Sequence, residues 1–330
     1  GGMKRKGDVP VRPLSLFLQA GADKEKKMMM FTDDSNQTRL AKDPAVVRFG
    51  KYYYMYYSNC RISCDSQGEE KAVWGIGIAR STDLENWEKL QDMDIEGELE
   101  ANGICAPGAL IFEGKIHLFY QTYGSFEKDA ICHAWSEDGV HFTRNETNPI
   151  VRAYGDWNNG RAIDADVIIF QNKLFLYFAT RDPEGKIQMQ GVSCCPLDGE
   201  FRRESWKQCC EESILRPELD WEQECIEAAA AMVRYGKVYL FYAGAYNNCP
   251  QQIGVAVSSD GIHFERMSDR PFLENGGPGS WNECESGHPY VFVDDDDRVY
   301  LFYQGNNDKG KSWYLSKVEI GFKNEIPYII

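Results

Sequence analysis

The stretch Ala106-Pro-Gly-Ala-Leu-Ile-Phe-Glu-Gly-Lys-Ile-His-Leu-Phe-Tyr120 reads as a β-hairpin. An apolar run leads to Glu-Gly, a lysine follows, and a second run ends in aromatics. The same shape recurs at Asp43 to Tyr57, Asp164 to Tyr177, Glu227 to Tyr242 and His288 to Tyr303, with a Gly, Asn or Asp turn and a basic residue each time. The five starts are separated by 63, 58, 63 and 61 residues. A second element follows the first four hairpins: Asp83-Leu-Glu-Asn-Trp87, Asp138-Gly-Val-His-Phe142, Asp198-Gly-Glu-Phe201 and Asp260-Gly-Ile-His-Phe264. Upstream of the last lies a candidate third strand, Ile253-Gly-Val-Ala-Val257. Each repeat therefore predicts hairpin, third strand, turn and fourth strand. Four antiparallel strands repeated five times predict an all-β, five-bladed β-propeller. We place this single propeller domain at 36–330 and read 1–35 as an N-terminal extension.

Composition narrows the functions. The chain has 330 residues, 43% hydrophobic and 26% charged, so it can build a core. Its net charge of −15 opposes phosphate backbones and argues against a nucleic-acid partner. No apolar run is long enough to predict a membrane span. Gly1-Gly2-Met3-Lys4-Arg5-Lys6 leads into Gly7-Asp8, not an apolar segment, so no signal peptide is visible; this favours the cytoplasm unless the N-terminus is trimmed. The 11 cysteines, including the doublets Cys194-Cys195 and Cys209-Cys210, show no zinc-site spacing and are expected as reduced thiols. The sequence is silent on oligomeric state.

In a propeller the first strand of each blade lines the central channel, so its opening residue sits at one rim. Here those residues are Asp43, Ala106, Asp164, Glu227 and His288. Three acids and a histidine converging on one mouth are a poor packing choice. They suit glycoside hydrolysis, in which one carboxylate activates water and a protonated one donates to the leaving oxygen. A third acid can raise the donor's pKa by charge repulsion. Trp157, Trp221 and Trp281 precede Asp164, Glu227 and His288 by seven, six and seven residues. They are expected either to stack on sugar faces or to pack between blades. Arg161 is a basic residue close to a motif start, and Arg39 and Lys42 precede Asp43. The run Asp294 to Asp297 is expected to be a solvated turn at the opposite rim.

These residues resemble the five-bladed glycoside hydrolases of family 43, within a wider group that includes family 32, over roughly residues 38 to 320. Asp43-Pro44 matches the family's catalytic base, Ile163-Asp164 its pKa-modulating aspartate, Ile226-Glu227 its general acid and Gly287-His288 its cation-proximal histidine. Ala165 replaces the usual Pro, and Ala228-Ala229 the usual Gly-Pro. Asp166, two residues on, is an alternative modulator; Glu222, Glu224, Glu283 and Glu285 are spare acids nearby. Glu224-Cys225 and Arg181-Asp182-Pro183 resemble family 32 motifs, but the arginine follows the second strand of blade three and is not expected to reach the channel mouth. The resemblance implies an inverting, exo-acting hydrolase of terminal arabinofuranosyl or xylosyl groups from plant-type saccharides, with no cofactor required. It also implies a structural calcium ion in the channel, held by His288 through water. Two other readings stand beside it: a carbohydrate-binding propeller without catalysis, and a glycoside phosphorylase, which needs cationic side chains to hold phosphate.

Overall fold

Each hairpin closes at the turn its sequence provides. Gln171-Asn172, Glu113-Gly114 and Tyr235-Gly236 all have positive φ at both central residues, which matches the twist of the flanking strands. In the computed structural model, which describes residues 28–330, the hairpins grow into five four-stranded antiparallel sheets. Blade one holds β1 (Lys42–Phe49), β2 (Tyr52–Cys64), β3 (Glu70–Ser81) and β4 (Glu88–Asp92). Blade two holds β5 (Ile104–Phe112), β6 (Lys115–Thr122), β7 (Ile131–Ser136) and β8 (Thr143–Arg144). Blade three holds β9 (Ile163–Phe170), β10 (Lys173–Arg181), β11 (Gln188–Pro196) and β12 (Lys207–Gln208). Blade four holds β13 (Ile226–Arg234), β14 (Lys237–Gly244), β15 (Gln252–Ser258) and β16 (Glu265–Arg266). Blade five holds β17 (Glu285–Val293), β18 (Val299–Asn306), β19 (Tyr314–Lys323) and β20 (Ile326–Ile329). The innermost strands β1, β5, β9, β13 and β17 pack in a ring that closes between β17 and β1. The architecture is the five-bladed propeller that the repeat predicts.

The aromatic second strands supply the core between blades. Tyr56, Tyr57, Phe119, Tyr120, Tyr177, Phe178, Phe241, Tyr242 and Phe302 are all fully buried. Tyr56 and Tyr177 also donate across to the carbonyls of Gly139 and Gly261, in the turns of blades two and four (2.7 and 2.8 Å). Those turns are organised by their aspartates. Asp83, Asp138 and Asp260 each accept two backbone N–H groups and the hydroxyl of a serine two residues earlier. At Asp198 that serine is replaced by Pro196, and the turn closes through Gly199 N–H to the Pro196 carbonyl.

Three expectations meet a different outcome or fall outside the described residues. Residues 28–35 line the seam between blades five and one: Phe31 pairs with Leu315, and Asp33 accepts from Tyr57 and Lys89. The remainder of the expected extension lies outside the described residues. Cys194 and Cys209 form a disulfide at the outer edge of blade three, where reduced thiols were expected. The acidic turn is not simply solvated, because its ends tie blades together: Asp294 accepts from Tyr53 of blade one (2.7 Å), and Asp297 pairs with Arg234 of blade four. No helix among the described residues is long and apolar enough to cross a membrane.

Candidate active site

A shared backbone irregularity builds the channel mouth. In every inner strand the pairing register slips after the first one to three residues. The residue at the slip has a left-handed φ: 52° at Asp43, 50° at Ala106, 52° at Asp164, 55° at Ala228 and 40° at His288. A side-chain-bearing residue in this region costs about 1–3 kcal/mol, so something must hold it. Four of the five are held alike, by a side chain from the preceding blade that accepts the backbone N–H. Gln304 takes Asp43 (2.9 Å), Ser58 takes Ala106 (2.7 Å), Gln121 takes Asp164 (2.8 Å) and Gln251 takes His288 (3.1 Å). The bulge turns these side chains into the mouth.

Blade four departs from this pattern. Its left-handed residue is Ala228, so Glu227 stands one position earlier than Asp43, Asp164 and His288 do in their blades. The repeated hairpin starts make all four equivalent in the sequence. A bulge adds one residue, and an apolar run cannot reveal an offset of one. Glu227 is instead clamped from both sides: Gln251 Nε2 donates to Oε1 at 2.7 Å, and Gln188 Nε2 donates to Oε2.

The predicted acids and histidine do come together. His288 Nδ1 lies 2.9 Å from Asp43 Oδ1, and Ser58 Oγ donates to Asp43 Oδ2 at 2.5 Å. Burial pushes the Asp43 carboxyl up, but His288, Lys42 and the Ser58 hydrogen bond outweigh it and hold the group well below the usual carboxylate range. Burial likewise opposes charge on His288, and the surrounding acids reverse it, raising the imidazole to about 9. Asp164 is pushed up to about 7, first by burial and then by Glu227 and Asp43, against the pull of His288 and Arg161. Asp43 is thus an ionised carboxylate beside an imidazolium, and Asp164 holds its proton close to neutrality.

The structure separates Asp164 from Asp166. The register slip lies between them, and Asp166 Oδ2 accepts from Ala231 N–H on β13 (2.7 Å), deeper in the channel. The spare acids have other places. Glu222 is buried in a structural cluster, Glu224 and Glu283 are exposed, and Glu285 is buried beneath Lys42 with its carboxyl raised to about 8, chiefly by burial.

The three flanking tryptophans do not converge on the mouth. Trp221 stacks on Tyr242 and lies against Gly244 and Gly254, its indole N–H donating to the Asp269 carbonyl (3.1 Å). Trp157 packs against Gly191, and Trp281 against Gly305 and Tyr303. Each indole covers a glycine where a Cβ would crowd it, as the packing alternative expects. Other side chains around the site come from the opening of β1 and from loops. Lys42 Nζ lies 4.4 Å from the Trp313 ring and 5.6 Å from the Trp74 ring, and it feels Asp43, Glu285 and Glu227. Tyr246 lies within the field of Glu227. Arg161 acts on Asp164 and Asp129, and its buried Nε has no partner among the described residues. Arg181 does reach the site, at one remove: its Nε donates to Gln188 Oε1 at 3.0 Å.

A directly bound cation does not fit this donor set. No three His, Cys, Asp or Glu side chains converge on a common point among the described residues, and His288 Nδ1 faces Asp43. The positive charge at the centre is the imidazolium itself, so no step below is routed through a metal.

Acids gathered at one mouth of a five-bladed channel define a glycosidase. The sequence profile of Glycosyl hydrolases family 43 matches residues 37–320, and the chain belongs to that family. Solved structures agree on the fold. A thermostable family-43 glycoside hydrolase superimposes with a TM-score of 0.70 at 18% identity, covering 91% of this chain and 95% of its own. An endo-1,4-β-xylanase from Bacteroides thetaiotaomicron VPI-5482 does so at 0.65 and 20%, covering 88% and 94%. An α-L-arabinofuranosidase from Lactobacillus brevis does so at 0.65 and 17%, covering 87% and 93%.

Proposed function

We propose that this glycosidase is an inverting, exo-acting enzyme that removes a terminal arabinofuranosyl or xylosyl group, with Asp43 as base, Glu227 as acid and Asp164 as modulator. The observation that carries the reading is the gathering of Asp43, Asp164 and Glu227 around His288. Asp43, fixed as a carboxylate by His288 and Ser58, takes a proton from the water that attacks the anomeric carbon. Glu227 gives its proton to the departing oxygen as the glycosidic bond breaks. Asp164, which feels both Glu227 and Asp43, is the third acid of the set and takes the modulator position. Base and acid come from blades one and four, which leaves room for a water between carboxylate and sugar. The sugar class rests on the family and on relatives that are xylanases and arabinofuranosidases.

A carbohydrate-binding role without catalysis is disfavoured by the intact acid set. Phosphorolysis is disfavoured because Lys42, the cation beside Asp43, is already engaged by the Asp43 carboxylate. A screen of aryl arabinofuranosides and xylosides, with and without phosphate, tests the class. NMR of the first-formed hemiacetal tests the stereochemistry; retention would overturn the mechanism. Activity should persist in EDTA, and a loss restored by calcium would instead place a hydrated cation beside His288.

A further inference from the structure

Arg181 ends β10, and with Asp182 and Pro183 it forms a motif that the catalytic reading leaves without a role. Asp182 has a local one: its Oδ1 caps the following turn by accepting the N–H groups of Lys186 (2.6 Å) and Ile187 (2.8 Å). Arg181 points elsewhere. Its Nε donates to Gln188 Oε1 at 3.0 Å, its Nη1 reaches the Gly185 carbonyl at 3.4 Å, and its guanidinium lies 5.5 Å from the Tyr246 ring centroid. Tyr246 in turn donates to the Lys186 carbonyl at 3.1 Å, locking the loop after β14 to this turn. Gln188 is almost wholly buried, and its amide has one arrangement that satisfies both ends: the oxygen accepts from Arg181, and the nitrogen donates to Glu227 Oε2.

We propose that Arg181, acting through Gln188, is a positioning residue for Glu227 and fixes the direction in which that carboxyl meets the leaving-group oxygen. Without the guanidinium, only a long 3.9 Å contact from its nitrogen to Cys225 Sγ opposes the Gln188 amide turning over and presenting its oxygen to Glu227. An acceptor facing a carboxyl either repels it or captures its proton, and both misdirect proton donation. Gln251 holds the other oxygen and is itself fixed by the His288 N–H and the Ala245 carbonyl, so the clamp is adjustable only on the Arg181 side.

This inference rests on Glu227 being the acid, and the experiment separates the two claims. Arg181→Met and Glu227→Gln are assayed on 2,4-dinitrophenyl and methyl β-D-xylosides, with the arabinofuranosyl pair in parallel. A dinitrophenolate leaves without a proton, whereas methoxide needs one. Glu227→Gln should show a far larger loss on the methyl than on the dinitrophenyl glycoside; no such split would sink the acid assignment itself. Arg181→Met should show the same split in weaker form, with kcat lower by about 10–100-fold on the methyl glycoside, a part of the usual general-acid contribution, and KM little changed. Equal losses on both leaving groups, or none, would overturn the positioning role. A neutron crystal structure of Arg181→Met, which tells amide nitrogen from oxygen, provides a readout without substrate: the Gln188 amide should be turned over, and an amide nitrogen still facing Glu227 would refute the proposal. If Arg181→Met proves unstable, Arg181→Lys, which keeps the charge and loses the Nε geometry, is read in the same way.

Discussion

His288 Nδ1 sits 2.9 Å from Asp43 Oδ1, each side chain little exposed, so the innermost charge pair of the channel joins the first strand of blade one to the first strand of blade five. The pair spans the seam where the ring closes, and this gives it a pH signature. His288 is raised in the fold to about 9, so its contribution is full below its unfolded value of about 6.5 and is lost as pH rises through 9. Asp43 is lowered, so its contribution is present above about 4 and is lost in acid as pH falls through the folded value. Thermal unfolding of His288→Gln should therefore differ most from wild type between about pH 4 and 6.5 and converge with it above about pH 9. An unchanged gap at pH 10 would contradict the pair.

Asp43→Asn and Glu227→Gln should each reduce turnover on unactivated glycosides by about 10²–10⁴-fold. Asp164→Asn should also lower activity but raise the melting temperature near neutral pH. Its carboxyl is raised to about 7, so folding is penalised as pH climbs from about 4 through 7, and the amide removes that penalty. A melting temperature that falls in Asp164→Asn at pH 7.5 would show that the site holds a stabilising carboxylate.

Blade four carries a buried cluster in which Arg266 donates to both oxygens of Glu222 (2.7 and 2.8 Å), and Tyr242 donates to one of them (2.7 Å). Arg266→Met leaves the fully buried Glu222 carboxylate without its cation and should cost about 3–5 kcal/mol by denaturant unfolding. Arg266→Met combined with Glu222→Gln should recover part of that loss. If the double variant is no better than the single, the cost lies in packing and not in charge.

His117 and His133 form a buried chain. Asn145 Nδ2 donates to His133 Nδ1 (3.1 Å), His133 Nε2 lies 2.9 Å from His117 Nδ1, and His117 Nε2 lies 3.2 Å from the Phe112 carbonyl. Every nitrogen is satisfied only if both rings are neutral. Burial holds His117 down to about 4 and His133 well below its ordinary value. The unfolded chain therefore binds more protons than the fold below about pH 6.5, and stability should fall as pH drops from there towards 4. Replacing both histidines by glutamine should flatten that slope by up to about 1.4 kcal/mol per pH unit for each proton; an unchanged slope would refute the account.

The Glu222 cluster shows what a linear reading can overlook. Glu96, Glu100, Tyr120 and Arg144 form the same arrangement in blade two, with Arg144 donating to both Glu100 oxygens at 3.0 Å and Tyr120 to one at 2.6 Å. The spacings from acid to tyrosine and from tyrosine to arginine are identical in the two blades, so the signal is present in the sequence. It is sparse, however, and skips a blade, whereas the hairpins repeat in every blade and are dense with apolar residues.

The sequence by itself determined the five blades, because hairpin turns and two-residue alternation are local and leave a mark in every repeat. It also determined which acids open the inner strands, since an acid at the start of an apolar run stands out. Only the tertiary structure decided that Glu227 sits one position out of register with Asp43, and that Asp166 turns away from Asp164 to cap Ala231. It alone decided that Trp157, Trp221 and Trp281 cover glycines, and that Arg181 reaches Glu227 through Gln188. Each of these depends on where a bulge falls or on which side chain from a neighbouring blade meets it. Those contacts join residues far apart in the chain, and no local period records them.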